Sequence, residues 1–228
     1  MKEFFKYTLA TITGIVLFLV ITGIFGVISI VGMISTSEAT QTVKDNSVFV
    51  LKLSGVLEER ADNNLMSQIS DDISTIGLDD ILNAIEKAKN NDNIKGIYIE
   101  AGTFNPDSHA SLQAIRDALK DFKKSGKWIV AYGDIYTQGA YYVCSVADKV
   151  YLNPVGIIDW HGLAAQPYYL KDMLAKFGVK VQLFKVGTYK SMPDTYTADK
   201  MSDANRLQVK AYIGGIWNTI CKDVSASR

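Results

Sequence analysis

The stretch that decides the fold runs from Gly126 to Gly156 and reads Gly-Lys-Trp-Ile-Val-Ala-Tyr-Gly-Asp-Ile-Tyr-Thr-Gln-Gly-Ala-Tyr-Tyr-Val-Cys-Ser-Val-Ala-Asp-Lys-Val-Tyr-Leu-Asn-Pro-Val-Gly. Trp128–Tyr132 is a short apolar run typical of a buried strand, Gln138–Val146 favours a helix, and Lys149–Leu152 returns to strand. Parallel strands need a crossover between them, and that crossover is usually a helix. This order therefore predicts a parallel β-α-β unit.

The same alternation continues towards the N-terminus. Ser47–Leu53 and Ile94–Ile99 are strand-like, and a Gly-Thr-Phe-Asn-Pro loop is expected after the second of them. Asp79 and Asp80 are placed to cap one helix and Ser111 to open another, because apolar residues follow both at helical spacing. These apolar residues are Ile81, Leu82, Ile85 and Ala88 in the first helix and Leu112, Ile115, Leu119 and Phe122 in the second.

Towards the C-terminus, the pattern predicts a helix at Tyr168–Phe177 that Gly178 stops, a strand at Val179–Val186 and an amphipathic helix at Ser202–Val224. Strands and helices in alternation, with short connections, predict an α/β domain with a mostly parallel sheet covered by helices. No Gly-x-Gly-x-x-Gly or phosphate-loop pattern follows any strand, so a nucleotide-binding function lacks its main support.

An apolar run near the N-terminus predicts a membrane anchor. From Thr8 to Ile34 the sequence has 27 residues without a charge. A bilayer core needs about 20 apolar residues, whereas the apolar part of a secretory signal peptide has about 7–15 and ends at a small-x-small cleavage site. The run is too long for the second alternative, and the Ile-Ser-Thr-Ser-Glu-Ala-Thr-Gln that closes it is a poor cleavage site. We therefore expect an uncleaved signal anchor within residues 1–35.

The flanking charges predict how this anchor is oriented. Lys2 and Lys6 precede the apolar run, and Glu38 is the first charged residue after it. The positive-inside bias then places residues 1–7 in the cytoplasm. A polar linker at 36–46 would lead to a globular domain at 47–228 on the other side of the membrane.

Charge and cysteine content exclude several classes of protein. Lys and Arg number 24 against 24 Asp and Glu, so the basic excess of a nucleic-acid-binding protein is missing. Cys144 and Cys221 both lie among apolar residues, and we expect buried free thiols, although a single bridge stays open. With His109 and His161 as the only histidines, the short paired spacings of a zinc site are missing. We expect no metal and no cofactor.

Three segments carry a resemblance that periodicity does not supply. They are Ile94-Lys-Gly-Ile-Tyr-Ile, the stretch from Gly126 to Gly156, and Phe184-Lys-Val-Gly-Thr-Tyr-Lys-Ser. Together they resemble the N-terminal domain of the long-form signal peptide peptidase A family, and the resemblance runs from the anchor to Arg228. It implies a Clp protease/crotonase-like α/β superhelix with an N-terminal transmembrane helix. It further implies a serine endopeptidase with a Ser–Lys dyad that degrades cleaved signal peptides.

The resemblance assigns one catalytic residue to this chain. In the family, the N-terminal copy of a duplicated domain supplies a lysine and the C-terminal copy supplies the serine. The lysine falls on Lys190, and the position of the serine falls on Gln138, 52 residues earlier. Glutamine has no nucleophilic oxygen. We therefore expect 47–228 to be a peptidase-like domain that supplies the general base, lacks the serine-bearing domain and is inactive alone.

A lysine can act as a base only when it is neutral, and its reference pKa is about 10.4. Burial among apolar groups favours the neutral form. We expect the predicted strand Val181–Val186 and the neighbouring Tyr189 to bury Lys190, with Gly187 allowing a sharp turn before it.

Ordinary explanations exist for the other candidate side chains. A lysine after a strand is usually an exposed surface residue, and only the family motif distinguishes Lys190. Ser191 is expected to be a loop serine, Ser145 to lie in a buried helix and His161 to sit in a turn, so none is expected to act as nucleophile or base.

The alternatives to a peptidase are a catalytically inactive, membrane-anchored scaffold or binding module of the same fold and a crotonase-like acyl-CoA enzyme. The second has little support, because such enzymes are usually soluble. As partners, the resemblance implies the lipid bilayer, peptide substrates and further copies of the chain in a homo-oligomer. It implies a location in the bacterial inner membrane, with a single pass and the globular part on the periplasmic side.

Overall fold

The computed structural model describes residues 1–36, 42–61 and 75–228, and it forms two compact units, Met1–Val43 and Lys44–Arg228. The first unit consists mainly of helix α1, Lys2–Thr36. Within α1, Glu3–Ser29 has a mean hydropathy of 2.5, and by length and composition it can cross a membrane. Residues 37–41 of the predicted linker lie outside the described residues.

Four threonine hydroxyls of α1 need no water, since each donates a hydrogen bond of 2.8–2.9 Å to the carbonyl oxygen four residues earlier. These threonines are Thr8, Thr11, Thr13 and Thr22. Such internal bonding suits a helix placed in lipid, where an unsatisfied donor is costly.

The second unit is built on a five-stranded sheet, and all its neighbouring strands are parallel. Its strands are β1 Ser47–Glu58, β2 Thr75–Gly77, β3 Ile94–Pro106, β4 Trp128–Tyr136 and β5 Lys149–Ile158. They lie in the order β2-β1-β3-β4-β5. The predicted parallel sheet is confirmed.

Six helices accompany the sheet in the described part of this unit. They are α2 Leu78–Asn90, α3 His109–Lys123, α4 Gln138–Cys144, α5 Lys171–Lys176, α6 Asp194–Thr197 and α7 Asp203–Ser225. The apolar stripes predicted for α2 and α3 are buried except for Leu82, which is half-buried.

Helices cover one face of the sheet in the described ranges. In register across β1, β3 and β4, every second side chain points into the core, as the strand period of two requires. The inward residues are Leu51, Leu53, Ile97, Ile99, Ala101, Ile129 and Ala131. On the other face Val50 is 47% exposed, and Lys52 lies 3.6 Å from Glu100 in an exposed ion pair.

Some predicted boundaries are wrong. The cap of α3 is Ser108, whose Oγ accepts a hydrogen bond from the Ser111 backbone N–H at 3.1 Å, so α3 begins two residues before Ser111. α2 follows Gly77 without a side-chain cap, although Asp79 and Asp80 do lie in its first turn. The predicted loop after Ile99 is instead a continuation of β3, because β1 also extends and pairs with it as far as Leu57 and Pro106.

The region after β5 departs furthest from the sequence prediction. Val179–Val186 is not a strand, and no strand of the sheet pairs with it. The helix predicted at Tyr168–Phe177 is only the six-residue α5. The last helix is present as α7 with Ser202 as its cap, but Ile220 is its only fully buried residue. Thus the predictions hold where segments join the sheet and fail where they leave it.

Candidate functional site

The N-terminus of α4 lies where β4 ends, which is the edge at which open α/β sheets usually bind ligands. β4 ends at Tyr136, and Thr137 caps the helix by accepting a hydrogen bond from the Ala140 backbone N–H at 3.3 Å. The Thr137 hydroxyl in turn donates to the Phe104 carbonyl at the end of β3. Gln138 is therefore held rigidly as the first residue of α4.

The side chain of Gln138 is buried and engaged in three hydrogen bonds. Its Oε1 accepts from the backbone N–H groups of His161 at 3.3 Å and Gly162 at 2.8 Å. Its Nε2 donates to the Gly162 carbonyl oxygen at 3.3 Å. The residue predicted to occupy the family's serine position thus binds the chain segment just after β5.

Aromatic rings extend this contact from α4 to α7. Trp160 packs edge-on against Tyr141 with ring centroids 5.5 Å apart, and it lies 5.4 Å from Trp217 of α7. Tyr141 also packs edge-on against Tyr136, at 6.2 Å. Aromatic pairs in this range contribute stability beyond their buried area.

Lys190 lies on an exposed segment, and the expectation that this chain buries it is wrong. Val186 is 91% and Tyr189 54% exposed, and Lys190 itself is exposed. Gly187 does make the expected turn, with φ of 105° and its carbonyl accepting from the Lys190 backbone N–H at 3.4 Å. The hollow beside Lys190, about 510 Å³, is lined only by residues 184–193. Gln138 is not among the residues that line this hollow.

The other candidate side chains have structural contacts. Ser145, the C-cap of α4, is fully buried and donates to the Tyr142 carbonyl. Ser191 donates to Gln208 Oε1 at 3.4 Å, and His161 Nδ1 lies 2.9 Å from Asp159 Oδ1 on the surface. In the described ranges, no three His, Cys, Asp or Glu side chains are grouped to hold a metal ion.

Of the two cysteines, Cys144 is buried and Cys221 half-buried, and both are free thiols. The prediction of a buried thiol is therefore confirmed for Cys144 only. Burial raises the pKa of the Cys144 thiol to about 12.

Sequence reasoning missed Arg116, whose side chain is fully buried in α3. Its Nη1 donates to the Tyr142 carbonyl and to Ser145 Oγ, both at 2.6 Å. Its Nη2 donates to the Asp223 carbonyl at 2.6 Å and to Ser227 Oγ at 2.5 Å. Arg116 therefore fastens the end of α7 to the end of α4.

Two ionisable side chains, Tyr142 and Asp223, lie close to this guanidinium. Desolvation lowers the pKa of Arg116, while Tyr142 and Asp223 oppose that effect. The Tyr142 hydroxyl donates a hydrogen bond to Asp223 Oδ2 at 2.6 Å. Burial raises the pKa of Tyr142 most, and this hydrogen bond raises it further. One sequence feature could have revealed the site, because Arg116 stands in the apolar stripe of Leu112, Ile115 and Leu119.

With this geometry in view, the relationship of the chain to known proteins is clear. Residues 121–228, which include α4, Lys190 and α7, match peptidase family S49, and the chain carries a peptidase S49 domain of Clp protease/crotonase-like fold. The family resemblance seen in the sequence is thereby confirmed for this domain.

Individual relatives extend the similarity to nearly the whole chain. Protease 4 of Salmonella typhi is 36% identical over 221 residues, which are 93% of this chain and 35% of that protein. Protease 4 of Haemophilus influenzae is 32% identical over 211 residues, 88% of this chain and 34% of that protein. The chloroplastic serine protease SPPA of Arabidopsis thaliana is 25% identical over 185 residues, 81% of this chain and 26% of that protein. The chain spans about a third of the length of the two Protease 4 proteins.

Proposed function

We propose that this chain supplies the lysine general base of a membrane-anchored Ser–Lys endopeptidase that degrades cleaved signal peptides. The observation that carries the proposal is the S49 match over both family positions, with a lysine at 190 and a glutamine at 138. Gln138 cannot form an acyl-enzyme, and its amide is already engaged. The nucleophilic serine would thus come from a part of the protein outside these 228 residues.

This division of labour accounts for the exposure of Lys190. A serine hydroxyl is a weak nucleophile until a base accepts its proton, and a lysine is neutral near pH 7 only when removed from water. The described residues leave Lys190 exposed, beside the exposed apolar side chains of Phe184, Val186 and Met192. A serine-bearing domain that covered these side chains would desolvate the lysine and bring the serine to it.

In the proposed reaction, neutral Lys190 accepts the serine proton as the serine oxygen attacks the peptide carbonyl. The resulting ammonium donates that proton to the leaving amine, and an acyl-enzyme remains. Water then attacks the acyl-enzyme with the same lysine as base, which releases the peptide acid and restores the serine. The backbone N–H groups that stabilise the oxyanion are expected beside the serine.

Substrate and location follow from the anchor and the relatives. For the substrate, the support is the family resemblance together with a relative named serine protease SPPA. For the location, the support is α1, which would hold the enzyme at the bilayer where cleaved signal peptides remain. Lys2 and Lys6 favour a cytoplasmic N-terminus, and in the proposed arrangement the domain would then lie on the periplasmic side of a bacterial inner membrane. The family resemblance implies a homo-oligomer, and the exposed apolar side chains after β5 offer it contact area.

The test is activity of the complete gene product against signal-peptide substrates. Lys190→Ala should abolish cleavage, and Lys190→Arg should do so too because a guanidinium stays protonated. The exposed Lys180 is the matched control, and Lys180→Ala should cleave at the wild-type rate. Full activity of Lys190→Ala would refute the assignment of the base.

A second candidate function is an inactive, membrane-anchored scaffold, which the occupied amide of Gln138 and the exposure of Lys190 both favour. A serine-directed fluorophosphonate separates the two. The peptidase model expects labelling of the complete gene product and none of residues 1–228 alone. The scaffold model expects labelling of neither.

A further inference from the structure

The segment that contains Lys190 is closed upon itself. We call residues 164–201 the lysine segment. The Leu170 backbone N–H donates to the Thr195 carbonyl at 2.7 Å, and Lys171 forms an ion pair with Asp199 at 2.8 Å. Deeper in the segment, Lys185 bonds the buried Asp194 at 2.6 Å. The two ends of the lysine segment are therefore joined, and its position depends on what holds them.

The chain before this segment is bonded to the end of β4 and the start of α4, and the helix that follows the segment is held at its far end. At the N-terminal end of the segment, the Asp159 backbone N–H donates to the Tyr136 carbonyl at 2.8 Å, and Gln138 binds the two residues that follow Trp160. At its C-terminal end, the chain enters α7, whose last turn Arg116 ties to Tyr142 and Ser145. Only the first of these attachments lies next to the lysine segment, because the second lies at the last turn of α7.

Gln138 is suited to fix the first attachment in one position. It is 7% exposed, and both its carbonyl oxygen and its amide nitrogen bind the backbone of residues 161 and 162. Two acceptor contacts and one donor contact determine both the distance and the direction of that backbone. An apolar side chain of equal size would fill the space without setting either.

We propose that Gln138 is a positioning residue for Lys190, because it fixes residues 161–162 immediately before the lysine segment. The proposal rests on the assignment of Lys190 as the base. It gives position 138, where the family has its serine, a function that does not require a nucleophile. The position keeps a role in catalysis, but it acts on the lysine segment and not on the substrate.

The first experiment compares Gln138→Met, Gln138→Glu and the control Gln113→Met in the complete gene product. Met keeps the volume of the side chain and removes all three hydrogen bonds. Glu keeps an acceptor for both N–H groups, and a carboxylate is favourable in the first turn of a helix. Gln113 is exposed on α3, so its replacement tests the effect of a methionine alone.

Gln138→Met should lower kcat roughly 10- to 100-fold with KM within about twofold, because a displacement of about 1 Å at a reacting group can cost that much. Gln138→Glu should recover most of this loss, and Gln113→Met should match the wild type. A kcat of Gln138→Met equal to that of Gln113→Met would overturn the positioning role. If Lys190→Ala remains active, the base assignment fails and the positioning role falls with it, so the two failures are distinguishable.

Hydrogen exchange on the 228-residue chain tests the attachment of residues 161–162 to Gln138 and requires no enzymatic activity. The amides of His161 and Gly162 should be protected in the wild type and in Gln138→Glu. In Gln138→Met they should exchange at least about tenfold faster, and faster exchange should extend to Leu170 in the lysine segment. Unchanged protection of these amides in Gln138→Met would refute the proposed attachment.

Discussion

Arg116→Met is the substitution that most directly tests how α7 is held. Methionine can fill the space of the arginine stem, so the change removes the guanidinium and its four short hydrogen bonds while leaving little cavity. Asp223 would then lose its fully buried cation, since Arg116 Nε lies 3.9 Å from its Oδ2.

The expected cost is about 3 kcal/mol of unfolding free energy. Breaking a buried ion pair by removing one partner costs roughly 3–5 kcal/mol. The lower end applies because the groups left behind keep other partners. Asp223 retains the Tyr142 hydroxyl at 2.6 Å and Lys120 at 3.8 Å, and the Tyr142 carbonyl retains the Ser145 hydroxyl.

Urea unfolding in detergent micelles, followed by tryptophan fluorescence, measures this cost, because Trp160 and Trp217 touch only while α7 is docked. A loss of about 3 kcal/mol corresponds to a Tm lower by roughly 6–12 °C for a domain of this size. Arg206 on the exposed side of α7 is the control, and Arg206→Met should stay within about 0.5 kcal/mol of the wild type. Equal losses for the two variants would refute the role given to Arg116.

Two further predictions concern the buried cysteine and a close contact in the sheet. Cys221 should react with a thiol reagent in the native protein at pH 8, whereas Cys144 should react only after unfolding, because burial raises the Cys144 pKa from 9.0 to about 12. A pKa that is higher in the folded state means that this contribution is fully present below pH 9 and is lost as pH rises towards 12. The Tm should therefore fall more steeply above pH 9 in the wild type than in Cys144→Ala, and parallel Tm curves would contradict this. Gly96→Ala should cost about 1–3 kcal/mol, since its Cβ would lie 2.3 Å from the Trp128 ring. The control is Gly214→Ala in α7, where the added Cβ meets nothing within 4 Å, and it should raise the unfolding free energy by up to about 1 kcal/mol. Similar melting temperatures for the two alanine variants would show that the close approach at Gly96 does not matter.

The sheet and its first helices could be predicted because their apolar periodicity records burial directly. Ile81, Ile85, Leu112 and Ile115 repeat at helical spacing, and all four are buried. Val179–Val186 is rich in β-forming residues like the strands of the sheet, yet within the described residues no strand pairs with it. Propensity for a strand is fulfilled only where a partner edge exists, and the sequence of one segment does not reveal that.

The candidate site was predictable to a different degree at each residue. The family motif pointed to Lys190, but its surroundings depend on what covers Phe184 and Val186, and local sequence is silent on that. The glutamine at 138 was recognisable as a lost nucleophile, whereas its bonds to residues 161 and 162 come from a segment 23 and 24 positions away. Hydrogen bonds between distant segments leave no periodic pattern in the sequence.

The arginine in α3 also constrains the order in which the domain matures during synthesis. Its bonds to Asp223 and Ser227 join positions 107 and 111 residues apart. At about 5–20 residues per second, a ribosome needs roughly 5–20 s to cover that distance. For most of this interval β3, β4 and α4 are already available to assemble, while a cation in their midst still lacks half of its acceptors. The nascent sheet must keep this cation in contact with water until α7 arrives, so closure of the core and docking of the last helix should occur as one late event.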